Sequence, residues 1–230
     1  MNEGLQTYSG YAGAGAVVDR NRVLRNTYWL LALSMVPTVL GAWIGVTTGV
    51  MARLGPGVSA IVFLVGAFGL MFAVEKFKNS TTGVYLLLGF TFFMGLMLSR
   101  LLAAVLGFSN GASLIMYAFG GTAAVFVGMA SLASVIRRDL SGLGKFLFVG
   151  ALMLLVGSVI NLFVQSSTGM VVIAVLAIGI FSAFMLYDLK RIIDGGETNY
   201  VSATLAIYLD VYNVFQSLLA LLGIFGGDND

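Results

Sequence analysis

The chain has no histidine and no cysteine, only two prolines, and few charges: 10% of its 230 residues are Asp, Glu, Lys or Arg, where a soluble domain carries about 25%. Each absence closes a class of function. Without histidine or cysteine there is no His-dependent nucleophile, no thiol nucleophile and no disulfide. Nor is there a His/Cys zinc site or axial haem ligation by either residue. A rhomboid-type Ser/His protease and a His-zinc membrane protease fall on the same ground. The net charge of +2 is too small to argue for a nucleic-acid partner. No cofactor is expected, and no catalytic constellation stands out, so the chain does not read as an enzyme.

What is present is apolar. Hydrophobic residues make up 59% of the chain, and the mean hydropathy is +1.00. A soluble globule of this size could not hide that much apolar surface. A bilayer span takes about 20 apolar residues, so seven spans use about 140 and leave about 90 for a tail and loops. The apolar runs are Tyr28–Val50, Val58–Val74, Gly83–Leu106, Ala112–Ile136, Phe146–Val164, Met170–Tyr187 and Val201–Phe225. They are continuous and helix-length. That predicts an all-α integral membrane protein and argues against an outer-membrane barrel of short alternating strands. Residues 1–26 read as a polar tail without the features of a cleaved signal peptide. Residues 27–225 read as a single seven-helix transmembrane domain, and 226–230 as a short acidic end.

The cations fix an orientation. Ten of the twelve Lys and Arg fall in the tail and in alternate loops: Arg20, Arg22 and Arg25, then Lys76 and Lys78, then Arg137, Arg138 and Lys145, then Lys190 and Arg191. Only Arg53 and Arg100 fall on the other side. The positive-inside rule then places the N-terminus in the cytoplasm and, with seven spans, the acidic C-terminal end outside. A re-entrant last segment would return that end to the cytoplasm. Arg100, towards the end of the third span, is expected to snorkel to the interface. Glu75 with Lys76 and Lys78 reads as a solvated helix end. Gly41, Gly45 and Gly49 recur at four-residue spacing; close helix packing inside the bundle is expected of them rather than a dimerisation face.

The seventh run is the least apolar. Asp210, Asn213 and Ser217 fall at i, i+3 and i+7, on one helical face, with Tyr208 and Tyr212 adjoining. A helix with such a stripe is expected at the centre of the bundle or along a cavity, surrounded by the more apolar spans. A membrane-surface amphipathic helix is the plainer reading, but Asp210 lacks the flanking cations of interfacial helices. Asp188 closes the sixth run, one short polar loop before the seventh. Helices joined by so short a loop are neighbours, so Asp188 and Asp210 lie at similar depth and could meet. Two such carboxylates cannot both ionise cheaply: at 4 Å and an effective dielectric of 20 their repulsion is about 4 kcal/mol. They would share one proton and titrate as a unit nearer neutral pH. Once that proton leaves, they repel or take up a cation. Asp188, Asp210 and Asn213 offer the hard oxygens that suit a transient calcium ion, and Tyr208, Tyr212 and Ser217 are candidates to line the cavity. Taken alone, Asp188 could instead be a helix-end acid paired with Arg191 or Lys190.

Val23-Leu-Arg-Asn-Thr-Tyr28 opens the first span, and Gly195-Gly-Glu-Thr-Asn-Tyr200 joins the last two, followed by Ala203-Thr and the Tyr208/Tyr212-Asn213 helix. With the seven-span pattern, these resemble the Bax inhibitor-1/YccA family of integral membrane proteins over nearly the whole chain. The resemblance implies a bundle whose last helix is surrounded by the other six, in a bacterial inner membrane. It implies a pH-sensitive calcium leak controlled by aspartates on the sixth and seventh helices, where Asp188 and Asp210 fall. It also implies association with the membrane-anchored FtsH protease. Arg100 departs from the family pattern.

Three functions compete at this stage. The first is a proton-gated cation leak with Asp188 and Asp210 as proton sensor and gate; the lipid bilayer, calcium ions and protons are then its partners. The second is a regulatory protein acting on FtsH. The third, remote, is an intramembrane aspartyl protease. Against the third, Ile207-Tyr208-Leu209 precede the second acid where those enzymes place a glycine motif.

Overall fold

A computed structural model describes residues 3–227, with side chains from Arg20 onward apart from Pro56. Described residues form eight helices: α1 (Glu3–Thr48), α2 (Val50–Arg53), α3 (Pro56–Phe77), α4 (Thr81–Leu106), α5 (Gly111–Val135), α6 (Leu143–Val164), α7 (Ser167–Ile193) and α8 (Tyr200–Gly226). All but the one-turn α2 contain a stretch long and apolar enough to cross a bilayer. In lipid, helices satisfy their own backbone hydrogen bonds. Large apolar side chains therefore face outward without penalty, among them Trp29, Phe72, Tyr85, Phe119, Phe146 and Phe163.

The helices stop where backbone chemistry stops them. Gly49, at φ +63°, ends α1 in the left-handed conformation. Pro56 opens α3, where its missing N–H is no loss. Ser166 caps α7 by accepting from Gly169 N at 3.1 Å. α7 ends in a Schellman turn: Gly195, at φ +80°, donates to Ile192 O at 3.1 Å, and Gly196 N donates to Arg191 O at 2.8 Å.

The first helix extends through the expected tail. Residues 1–26 were read as a polar segment ahead of the span, whereas α1 is helical from Glu3, and the membrane-competent stretch is Arg20–Thr48. The helix runs on through Pro37 inside that stretch. The acidic C-terminal end falls mostly outside the described residues. α8 spans 27 residues, about 40 Å at 1.5 Å per residue, which is long enough to cross.

α8 is the most buried of the seven spans. It packs against α1, α3, α4, α5 and α7. α6, the sixth neighbour implied by the resemblance, packs chiefly on α7. α1 and α4 make the most extensive contact, with glycines of each against the other. A Cβ at Gly41 would overlap Phe92 O, and one at Gly95 would overlap Thr38 O, while Gly45 sits on the Ser99 side chain. Two of the three spaced glycines are therefore used for packing inside the bundle; Gly49 faces open space.

Candidate functional site

The polar face of α8 points into the protein. Tyr208 and Tyr212 are buried in the main core with Phe90, Met94, Met185 and Val214, and their rings stack with centroids 6.1 Å apart. Each buried phenol has a partner. Thr38 Oγ1 lies 2.8 Å from Ser34 O and 2.9 Å from Tyr208 OH, which also reaches Thr91 O at 3.4 Å, so the two hydroxyls join one chain of hydrogen bonds. Tyr212 OH donates to Met94 O at 3.2 Å. Asn213 Nδ2 donates to Leu209 O of its own helix at 2.7 Å. These groups are structural ties in this conformation. Ser217, half-buried, lies two turns beyond Asp210.

Asp210 is 4% exposed. Its Oδ2 has no hydrogen-bond donor among the described residues. What faces Asp210 is the carboxyl of Asp188, within hydrogen-bonding reach. Two carboxyls can hydrogen-bond only if one keeps its proton. No ion pair among the described residues involves either acid. Lys190 Nζ binds Asp194 at 2.6 Å, Arg191 binds Glu197 at 3.2 Å, and Lys78 binds Glu75 at 2.9 Å. Lys190 and Arg191 each bind another acid, and neither reaches Asp188 at ion-pair distance, although the Arg191 charge still acts on it. Lys76 sits over the Phe77 ring rather than near the acids. Arg100 is exposed towards the end of α4.

Asp188 also lines a cavity of about 300 Å³ that opens at the end of the bundle bearing the α3–α4 and α7–α8 turns. Glu75, Lys78, Arg191, Glu197, Ser202 and Ala206 form most of its wall. Outside the spans, the hydrogen bond that Lys78 donates to the Glu75 carboxylate raises Lys78 above the ordinary lysine range. Among the described residues, no three acids come together as a preformed metal site.

The cavity mouth is fixed by the Glu197–Asn199 turn. Glu197 Oε1 accepts from Thr198 N at 3.0 Å and Asn199 N at 2.9 Å, while Oε2 pairs with Arg191. Asn199 Oδ1 caps α8 by accepting from Val201 N at 2.9 Å and Ser202 N at 3.2 Å. Its Nδ2 donates to Lys78 O at 3.2 Å and Asn79 Oδ1 at 2.8 Å. One side chain therefore starts α8 and ties it to the α3–α4 turn. Arg20 adds a donation to Ile193 O at 3.2 Å. Sequence reasoning used this stretch only as a family signature. An Asn directly before an apolar helix was a readable N-cap signal; its bond to a turn 120 residues away was not. The Ser202 wall position was also missed, for want of any spacing rule that marks it.

The family described as inhibitor of apoptosis-promoting Bax1 matches residues 20–227. The chain is 37% identical to the "Modulator of FtsH protease YccA" of Escherichia coli K12 over 213 residues, covering 93% of this chain and 94% of that one. An E. coli O6:H1 protein named "Inner membrane protein YccA" matches equally. An uncharacterized protein of Pseudomonas aeruginosa is 40% identical over 207 residues, 90% of this chain and 91% of the other. With this coverage, and with seven candidate spans of which the polar last one is the most buried, the chain belongs to the Bax inhibitor-1/YccA family of multi-pass membrane proteins.

Proposed function

We propose that the chain is a pH-sensitive cation leak whose gate is the Asp188–Asp210 pair, with calcium as the transported ion. The observation that carries this reading is the contact between two carboxyls on adjacent helices, one of them buried, neither ion-paired among the described residues. With one proton the pair is a hydrogen-bonded latch of net charge −1 between α7 and α8. Without it, two negative charges face each other in a low dielectric, and either the helices part or a cation enters. The charges facing the same cavity are Glu75 and Lys78 from α3, Arg191 from α7 and Glu197 from the turn, and they offset one another as two ion pairs. In the conformation described, Phe90, Met94, Tyr208 and Tyr212 fill the bundle centre, so conduction requires that packing to open. The positive-inside distribution supports a cytoplasmic N-terminus in a bacterial inner membrane, which puts the cavity mouth on the cytoplasmic side. The test is calcium flux into proteoliposomes at about pH 6 and pH 8, a window that brackets a shared-proton carboxyl pair. Asp210→Asn should abolish or lock the pH dependence. An unchanged pH profile would falsify the gate.

A second reading, modulation of the FtsH protease, is favoured by the printed name of the E. coli relative at 37% identity. It predicts that the chain co-purifies with FtsH from native membranes and that its deletion changes turnover of FtsH membrane substrates. Failure of both would sink it.

A further inference from the structure

The first turn of α8 carries a hydroxyl that no described group uses. Ser202 is 8% exposed, lines the cavity beside Asp188, and its Oγ has no hydrogen-bond partner among the described residues. Other buried hydroxyls here behave differently. Ser34, Thr122 and Thr204 each donate to the carbonyl four residues back. Ser202 is the third residue of α8, so the carbonyl four back belongs to Thr198, outside the helix. The Asn199 carbonyl accepts from Ala203 N instead. Helix geometry thus leaves the hydroxyl without an acceptor at the cavity wall. One turn further along, Ala206 lines the same cavity, so only small residues of α8 face it beside Asp188. A buried hydroxyl of this kind is satisfied by ordered water, and 300 Å³ has room for on the order of ten water molecules.

We propose that Ser202 is the positioning residue of a proton path, holding the water through which Asp188 exchanges protons with the solution at the cavity mouth. This rests on the reading of the aspartate pair as the gate and assigns its route of access. A proton passes from the held water to the Asp188 carboxylate while another proton arrives at that water from the cavity. Hydroxyl and water are both regenerated, and the net change is one proton gained by the pair. The reverse order empties it. Glu75, Lys78, Arg191, Glu197 and Asp210 are the other titratable groups facing Asp188 or this cavity. The first four are held in two ion pairs, and Asp210 is the pair's other member, which leaves Ser202 as the neutral polar side chain on the path.

The chain has no native cysteine, so single-cysteine variants of the full protein report access directly. In proteoliposomes, the Ser202→Cys variant should react with a charged methanethiosulfonate reagent at a rate nearer that of Ser141→Cys, in an exposed loop, than that of the buried Ser34→Cys. Reaction as slow as at Ser34 overturns the proposal. The second readout is the carboxyl infrared band of the pair after a pH jump, assigned by its loss in Asp210→Asn. Ser202→Ala should slow its relaxation roughly tenfold or more at an unchanged midpoint, and Ser202→Thr should restore the rate. An unchanged rate, or a shifted midpoint with an unchanged rate, overturns the relay. Wild-type protein that shows these band kinetics but no calcium flux would sink the leak reading while leaving the relay intact.

Discussion

Replacing Asn199 should loosen the cavity mouth by an amount that its bonds set. The side chain supplies the N-cap of α8, which contributes about 1 kcal/mol. It also makes two donations to the α3–α4 turn, each contributing about 1 kcal/mol net. One side chain makes all of these contacts, so Asn199→Ala loses about 3 kcal/mol at one place. The Val201 and Ser202 amides, which donate to that side chain, should then exchange with solvent on the order of 10²-fold faster. Asn199→Asp separates the two roles. It keeps an acceptor for the cap and loses both donations, so its amides should exchange roughly fivefold more slowly than those of the Ala variant. The assay is hydrogen exchange read by mass spectrometry in nanodiscs, resolved on the peptide covering residues 197–205. Exchange in Asn199→Ala within about threefold of wild type would refute the tie. So would faster exchange in Asn199→Asp than in Asn199→Ala.

Further outcomes follow from the packing. Gly95→Ala would drive a Cβ into the Thr38 carbonyl and should cost about 1–3 kcal/mol, seen as a lower thermal midpoint in detergent. Gly120→Ala, into open space, should leave that midpoint equal or higher, since Ala favours a helix interior over Gly. Tyr208→Phe removes the hydroxyl that bonds Thr38 and should cost about 1 kcal/mol by denaturant unfolding; no change would mean that the bond is not formed. In the α5–α6 loop, Ser141 donates to Asp139 through N–H and Oγ–H, and these bonds lower the Asp139 carboxyl below its ordinary range. The interaction is therefore present above the ordinary carboxylate value and lost as pH falls. Ser141→Ala should move the Asp139 titration upward in carbon-detected NMR, and an unmoved titration would rule the side-chain bond out.

The architecture was legible because bilayer physics leaves few choices. Continuous apolar runs of helix length, cations in alternate loops and one polar stripe at 3.6-residue spacing yield seven spans with α8 inside. The approach of Asp188 to Asp210 was legible too, since a short loop makes neighbours of the helices carrying them. The extent of α1 was not, because its first turns are polar and Gly-rich and carry no apolar period. That α6 packs chiefly on α7 was not, because apolar residues cover most of α6 and little in its sequence distinguishes lipid from protein. Ser202 looked like one more small residue in a helix. Only the missing carbonyl at the helix start and the cavity beside it give the hydroxyl a role. Tyr208 and Tyr212, read as cavity-lining candidates, are tied to Thr38 and Met94 through bonds that cross 170 and 118 positions of sequence, beyond any local pattern.

If Asp188 and Asp210 act as one proton-sharing gate, removing either carboxyl removes the gate, and removing both removes nothing more. Calcium flux should therefore be measured across a pH series for Asp188→Asn, Asp210→Asn and the double variant in the same liposomes. The account expects all three to lose the wild-type pH response, with the double variant matching a single one. Two single variants that each keep part of the response, with effects that add in the double variant, would show that the acids titrate independently and would contradict the account.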